Sequence, residues 1–99
     1  MQATGRRFRG RHLVLLVAPG GAPMVRVGYT VSRKVGNAVV RNRVRRRLRE
    51  IVRLHARELV PSRDYVIIAA PGAALRGYHE LADDLVPLLT RVRSWTPAA

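Results

Sequence analysis

Between Gly36 and Arg49 the sequence reads GNAVVRNRVRRRLR, six arginines in fourteen residues. Arginine offers a planar, permanently charged fork that bonds phosphate bidentately and stacks on bases, so the chemistry here is anion recognition. From Arg33 to Arg53 there are nine basic residues and a single acid, Glu50. An ordinary exposed helix mixes signs and gains from i,i+4 pairing. A stretch of one sign repels itself until an external polyanion neutralises it. Asn42 stands uncharged between Arg41 and Arg43. Its amide both donates and accepts, which suits a phosphate, a 2′-hydroxyl, a base edge or the water of a hydrated ion; a neutral surface position is the plainer alternative.

Groups that could break bonds are missing from this picture. His12, His55 and His79 have no partner at metal-ligand spacing. The carboxylates lie mostly outside the basic region and form no obvious acid/base pair or metal cluster. No nucleophile motif, phosphate-binding glycine loop or zinc pattern occurs, and there is no cysteine. Five aromatics, Phe8, Tyr29, Tyr65, Tyr78 and Trp95, are too scattered for a stacking platform of the RRM type. Tyr29 is the best placed for contact near the basic helix, with a core role equally open.

The elements that position the arginines can be read from the apolar spacing. Residues 8–18 end in the aliphatic run LVLLVA, which suits a strand, and PGGAP at 19–23 predicts a hairpin turn. In the return strand Val25, Val27, Tyr29 and Val31 alternate with Arg26, Gly28, Thr30 and Ser32, leaving one face small or polar and able to admit a ligand's backbone. Asn37 is a good N-cap, and Val40, Val44, Leu48, Ile51, Val52, His55 and Leu59 predict a helix over about 38–59. At 100° per residue its apolar arc faces a core while Asn42, Arg45, Arg46, Arg49 and Arg53 occupy the opposite side. DYVIIAAP at 64–71 predicts a buried strand, and Leu81, Leu85, Leu88, Leu89 and Val92 a helix over 78–92, kinked or shortened by Pro87. The order is β-β-α-β-α, an α/β chain with one small sheet packed by helices.

Composition narrows the partner. Ninety-nine residues make one domain, and a net charge of +13 with pI near 11.9 points to nucleic acid. The longest apolar run has six residues, far below the roughly 20 that a spanning helix needs. A membrane-surface role for the basic helix is disfavoured because Val40, Val44 and Leu48 are needed to cover the sheet. The preference for Arg over Lys, 18 of 19, is better explained by a GC-rich genome than by selection. Without cysteine or a signal-peptide cleavage pattern, cytoplasmic residence is the expectation.

The stretch RVGYTVSRKVGNAVVRNRVRRRLRE resembles the signature region of the bacterial ribonuclease P protein component, with its RNR run at Arg41, Asn42 and Arg43. The resemblance extends from the Gly5 region through DYVIIAAPGAA to the last helix, about nine tenths of the chain. It implies a ribosomal S5 domain 2-like α/β fold, a two-layer sandwich in which the RNR helix joins two parallel strands by a left-handed crossover. General rules favour a right-handed one. It also implies the accessory subunit of a ribonucleoprotein endonuclease that removes the 5′ leader of precursor tRNA. Catalysis then belongs to the RNA subunit and its Mg²⁺ ions, with no direct metal ligation by protein, and the protein is a monomer in a 1:1 complex.

Carried over by residue, the implied contacts to the catalytic RNA are Lys34, Arg41, Asn42, Arg43, Arg45, Arg46 and Arg49, flanked by Arg33 and Arg53. The implied leader cleft is the sheet face beside that helix, with His12, Val14, Leu16, Thr30 and Ser32, and Tyr29 as its aromatic. Relatives often carry an aromatic on the first long strand, where this chain is aliphatic from Leu13 to Val17. They also carry about twenty further N-terminal residues with a short helix that walls the cleft; a chain without them is expected to discriminate leaders less well. The competing reading is a ribosomal-type rRNA-binding protein, which predicts binding without any gain in tRNA processing.

Overall fold

A computed structural model describes residues 5–20 and 23–95. Its strands are β1 (Arg6–Arg9), β2 (Leu13–Pro19), β3 (Arg26–Thr30) and β4 (Arg63–Ala69), and its helices α1 (Ala38–Leu54) and α2 (Tyr78–Ser94). Short 3₁₀ turns at Ala56–Glu58 and Pro71–Leu75 flank β4. The mixed α/β class and the place of the basic helix between two parallel strands agree with expectation.

The strand order is β1-β2-β4-β3, which corrects the predicted hairpin. β2 and β3 are not partners: β4 lies between them, antiparallel to β2 and parallel to β3. β4, aliphatic from Val66 to Ala70, takes the place beside β2, where the middle of the sheet gives it ladder bonds and packing on both sides. β3, with Arg26 and Gly28, takes an edge, where exposed polar positions cost little. The 19–23 turn is therefore a connection across the end of β4, where the Gly20 amide donates to the Ser62 carbonyl at 2.8 Å. Its centre, residues 21–22, lies outside the described residues.

The stretch 8–18 is also two strands rather than one. The chain reverses after Arg9, with the Gly10 amide donating to the Leu13 carbonyl at 2.8 Å, and β1 runs back along β2. Asp84 of α2 holds this turn by accepting from the amides of Arg11, at 2.6 Å, and His12, at 2.9 Å.

Both helices pack on one face of the sheet. Leu13, Leu15 and Val17 of β2 and Tyr65 and Ile67 of β4 meet Val44, Leu48 and Ile51 of α1 and Leu81, Leu85, Leu89 and Val92 of α2. Each is almost fully buried, and each such aliphatic contributes about 1.5–3 kcal/mol of transfer free energy. The Tyr65 hydroxyl accepts from the Val60 amide at 2.8 Å and so fixes the connection from α1 into β4.

Asn37 caps α1 as predicted, its side-chain oxygen accepting from the Val40 amide at 3.0 Å. The helix ends at Leu54 rather than near 59, because His55 leaves helical geometry and a 3₁₀ turn follows. Pro87 neither ends nor shortens α2, which runs 17 residues through it. Pro87 and Asp83, whose carbonyl loses its helical donor, both face solvent, so water satisfies that carbonyl and the helix continues.

Candidate nucleic-acid interface

Helix α1 presents its charge as the apolar spacing requires. Val44, Leu48, Ile51 and Val52 are buried, while Asn42, Arg43, Arg46, Arg49 and Arg53 are exposed and Arg41 and Arg45 half-buried. Its first turn carries no acid, so the positive end of the macrodipole adds to the arginine field. Gly36 permits the entry into this helix: a Cβ there would lie 2.8 Å from Val40 Cγ1. Arg33 and Lys34, both exposed, occupy the loop just before it.

Few of these charges are answered within the protein. Among the described residues the ion pairs are Arg26–Asp64, Arg53–Glu50 and Arg76–Glu80, so Arg53 is the member of the basic face with an acidic partner. Its guanidinium holds the Glu50 carboxyl below the usual range. Asn42 has an internal partner: its Oδ1 accepts from Arg45 Nη1 at 2.9 Å. The amide therefore orients one guanidinium on the exposed face, a role that residue type alone could not single out. Arg47, by contrast, is turned away from this face and donates to the Arg76 carbonyl at 2.7 Å, tying α1 to the segment before α2.

The second surface is the sheet face opposite the helices, uncovered among the described residues. Strand register sets it out in rows across the sheet: Arg9, Val14, Ile68 and Thr30, then Arg7, Leu16, Val66 and Gly28. Four strands at about 4.8 Å spacing make this floor about 14 Å wide. The aliphatic side chains are half-buried, Arg7, Arg9, Gly28 and Thr30 exposed. A third row places Arg26 against Asp64 in a bidentate pair, 2.9 and 2.7 Å, which depresses the Asp64 pKa. From Thr30 the chain passes through exposed Ser32 to Arg33 and Lys34, so floor and basic helix are continuous.

Val14, Leu16, Thr30 and Ser32 thus fall together as expected; His12 and Tyr29 do not join them. Strand alternation puts Tyr29 on the helix side with Val27, where Arg49 Cζ stands 5.6 Å from its ring centroid. Burial pushes its phenol pKa up, opposed by the Arg49 charge. Tyr29 therefore buttresses the basic helix. His12 lies in the β1–β2 bend rather than in a strand, its carbonyl accepting from the Ala70 amide at 2.9 Å and its ring beside Gly72. Arg7, Arg9, Val66 and Ile68 were missed as floor residues, while Gly28 lies on the face that the alternation over 25–32 left open to a ligand. For Arg7 and Arg9 the signal was Gly10, which marks the reversal that folds RRFR into a strand.

Among the described residues no group of three or more His, Asp or Glu side chains is placed to hold a metal ion, and no helix is long and apolar enough to cross a membrane.

Fold and surfaces together define a small α/β protein with a strongly basic helix beside an open sheet face. A family profile described as Ribonuclease P matches residues 1–93. The chain is 44% identical to the ribonuclease P protein component of Desulfovibrio desulfuricans over 99 residues, covering 96% of this chain and 76% of that one. It is 50% identical to the Brucella suis component over 66 residues, covering 66% and 47%, and 47% identical to that of Thermus oshimai over 88 residues, covering 88% and 54%. It thus spans about half the length of these last two relatives. Among solved structures, the RNase P protein from Thermotoga maritima superposes with a TM-score of 0.80 at 27% identity, covering 88% of this chain and 83% of that one. The Staphylococcus aureus RNase P protein gives 0.81 at 26%, covering 93% and 84%. The chain belongs to the ribonuclease P protein family.

Proposed function

We propose that the chain acts in the cytoplasm as the protein subunit of ribonuclease P, one copy to one catalytic RNA, and promotes removal of the 5′ leader of precursor tRNA. The observation that carries this reading is the continuity of two unlike surfaces: a helix face of unanswered arginines and, across Ser32–Lys34, an aliphatic floor with arginines at its far edge. The helix face suits a folded RNA, whose closely spaced phosphates it meets with Lys34, Arg41, Arg43, Arg45, Arg46 and Arg49. The floor suits a single strand, because Val14, Leu16, Val66 and Ile68 offer apolar contact without base-edge readout while Arg7, Arg9 and Thr30 meet the backbone.

In this division the protein side chains move no proton and form no bond. They bind, orient and neutralise, and Mg²⁺, held mainly by the RNA, supplies activation of the attacking water. By lowering the repulsion between catalytic RNA and substrate, the arginine face reduces the Mg²⁺ concentration that the reaction requires.

The test is reconstitution with a bacterial ribonuclease P RNA and a precursor tRNA at low Mg²⁺. The expected result is faster 5′ cleavage with protein than with RNA alone, reduced by Arg46→Ala with Arg49→Ala while the fold, followed by circular dichroism, is kept. Binding to the RNA with no stimulation would instead support an rRNA-binding role and sink the proposal.

A further inference from the structure

At the β1 edge, across the sheet from α1, a second group of arginines meets Phe8 and Trp95. Arg6 Cζ stands 5.1 Å from the Phe8 ring centroid, and Arg91 Cζ, from α2, stands 5.6 Å from the same ring. Trp95 meets Phe8 edge-on at 6.0 Å. Arg63 lies 5.2 Å from the Trp95 ring and donates to the carbonyls of Val92 and Trp95, both at 3.1 Å, so the end of α2 and its indole are held in place. Around these groups runs a groove of about 310 Å³ lined by Arg6, Phe8, Thr90, Arg91, Ser94 and Trp95. Among the described residues no carboxylate lines it, and neither Arg6 nor Arg91 takes part in an ion pair.

Two exposed guanidiniums converging on one ring with no acid between them repel each other, and an anion seated between them would relieve that repulsion. The hydroxyls of Thr90 and Ser94 add polar contacts, and the half-buried indole offers a surface for a base. The groove lies just over the β1 edge from the open floor. Along β1, Arg7 and Arg9 face the floor while Arg6 and Phe8 face the groove, so a strand leaving the floor has only to round one edge strand.

We infer that the Arg6–Arg91–Trp95 groove is a second binding site for single-stranded RNA, taking a phosphate between the two guanidiniums and a base against Trp95, and engaging the part of a leader that extends past the sheet. This rests on the reading that the leader lies on the open face. It makes affinity depend on length: short strands occupy the floor alone, longer ones the floor and the groove.

Trp95 is the only tryptophan, so its fluorescence reports the groove directly. Single-stranded RNAs of about 4 and about 16 nucleotides, spanning the site sizes of single-strand binders, would be titrated into the intact protein, into Arg6→Gln with Arg91→Gln, and into Gly28→Val. Gln keeps a polar stem over Phe8, and the thermal midpoint checks the fold. The long RNA is expected to quench Trp95 and the short one not. The double variant should lose the quenching, and its log affinity against log salt for the long RNA should flatten by about 0.7, the loss of the one phosphate held between the two guanidiniums. Binding of the short RNA should be unchanged. Equal slopes for both proteins with the long RNA would overturn the inference, as would equal quenching by a polyglutamate peptide. If Gly28→Val fails to weaken the short RNA, the open-face reading has failed instead.

Discussion

Gly28→Val separates the use of the open face from its stability, because the two should move in opposite directions. Gly28 faces the floor beside Val66, and a Cβ built on it meets nothing closer than Val66 Cγ2 at 3.9 Å and the Tyr65 carbonyl oxygen at 4.0 Å, ordinary contacts. Its backbone is not in the left-handed region; among the described glycines only Gly36 has positive φ. Replacing glycine in a strand recovers about 0.5–1 kcal/mol of conformational entropy, and a β-branched residue suits the pleat. For a domain of this size that raises the melting midpoint by about 2–8 °C. On the ligand side the isopropyl group fills the lowest part of the floor and displaces one base contact worth about 1–3 kcal/mol. The leader should then bind about 5- to 150-fold more weakly, while affinity for the catalytic RNA, held by α1, stays the same and Gly28→Ala falls between. Fluorescence anisotropy with a single-stranded leader RNA, and precursor tRNA compared with mature tRNA, would measure this at fixed salt. A variant that is more stable yet binds leader normally would refute the assignment of this face.

Asn42→Ala should leave stability within about 0.5 kcal/mol but weaken RNA binding about 2- to 10-fold by releasing Arg45; if Arg45→Ala and Asn42→Ala prove additive in a double-mutant cycle, Asn42 does not act through Arg45. Asp84→Ala should cost about 2–3 kcal/mol in denaturant unfolding, since it removes a charged acceptor from two amides of the β1–β2 turn, with Asp84→Asn recovering part; a loss below about 0.5 kcal/mol would show the turn to be self-sufficient. Asp64 and Glu50 are held below their ordinary pKa by Arg26 and Arg53, and Glu80 by the Gly77 amide and then Arg76. A depressed carboxyl stabilises the fold above its unfolded pKa and ceases to do so as pH falls through its folded one. The melting midpoint of the free protein should thus be level from neutrality to about pH 5 and decline below about pH 4, modestly because the pairs are exposed; a level midpoint down to pH 3 would exclude these pairs.

The helices were legible because their signals are local. The alternation of Val44, Leu48 and Ile51 with arginines fixes which side of α1 is core, and Asn37 supplies its own cap. Strand order was not legible, because it turns on which strand claims the centre. LVLLVA and the strand beginning MVRVGY read as neighbours through PGGAP, yet YVII of β4 outcompetes β3 for the place beside β2, a comparison between segments forty residues apart. The sheet's open face was half legible: Val14, Leu16, Thr30 and Ser32 follow from parity, but Arg7 and Arg9 required the reversal at Gly10, and Tyr29 was placed against its own parity.

The arginines sort by what answers them. Arg47 and Arg63 donate to backbone carbonyls near either end of α2, and Arg26, Arg53 and Arg76 face carboxylates. These could be removed only at a cost to the folded protein, and the sequence does not distinguish them from the rest. Among the described residues most of those without such partners gather on the α1 face, along the floor edge at Arg7 and Arg9, and in the groove at Arg6 and Arg91. A folded chain of +13 with six acids cannot pair its way to neutrality, and burying its cations would cost more than exposing them. The low-energy arrangement places them on the surface in groups, each group a standing repulsion that an RNA phosphate relieves. Binding and stability are thereby linked: the surfaces that repel themselves most in the free protein gain most when RNA covers them.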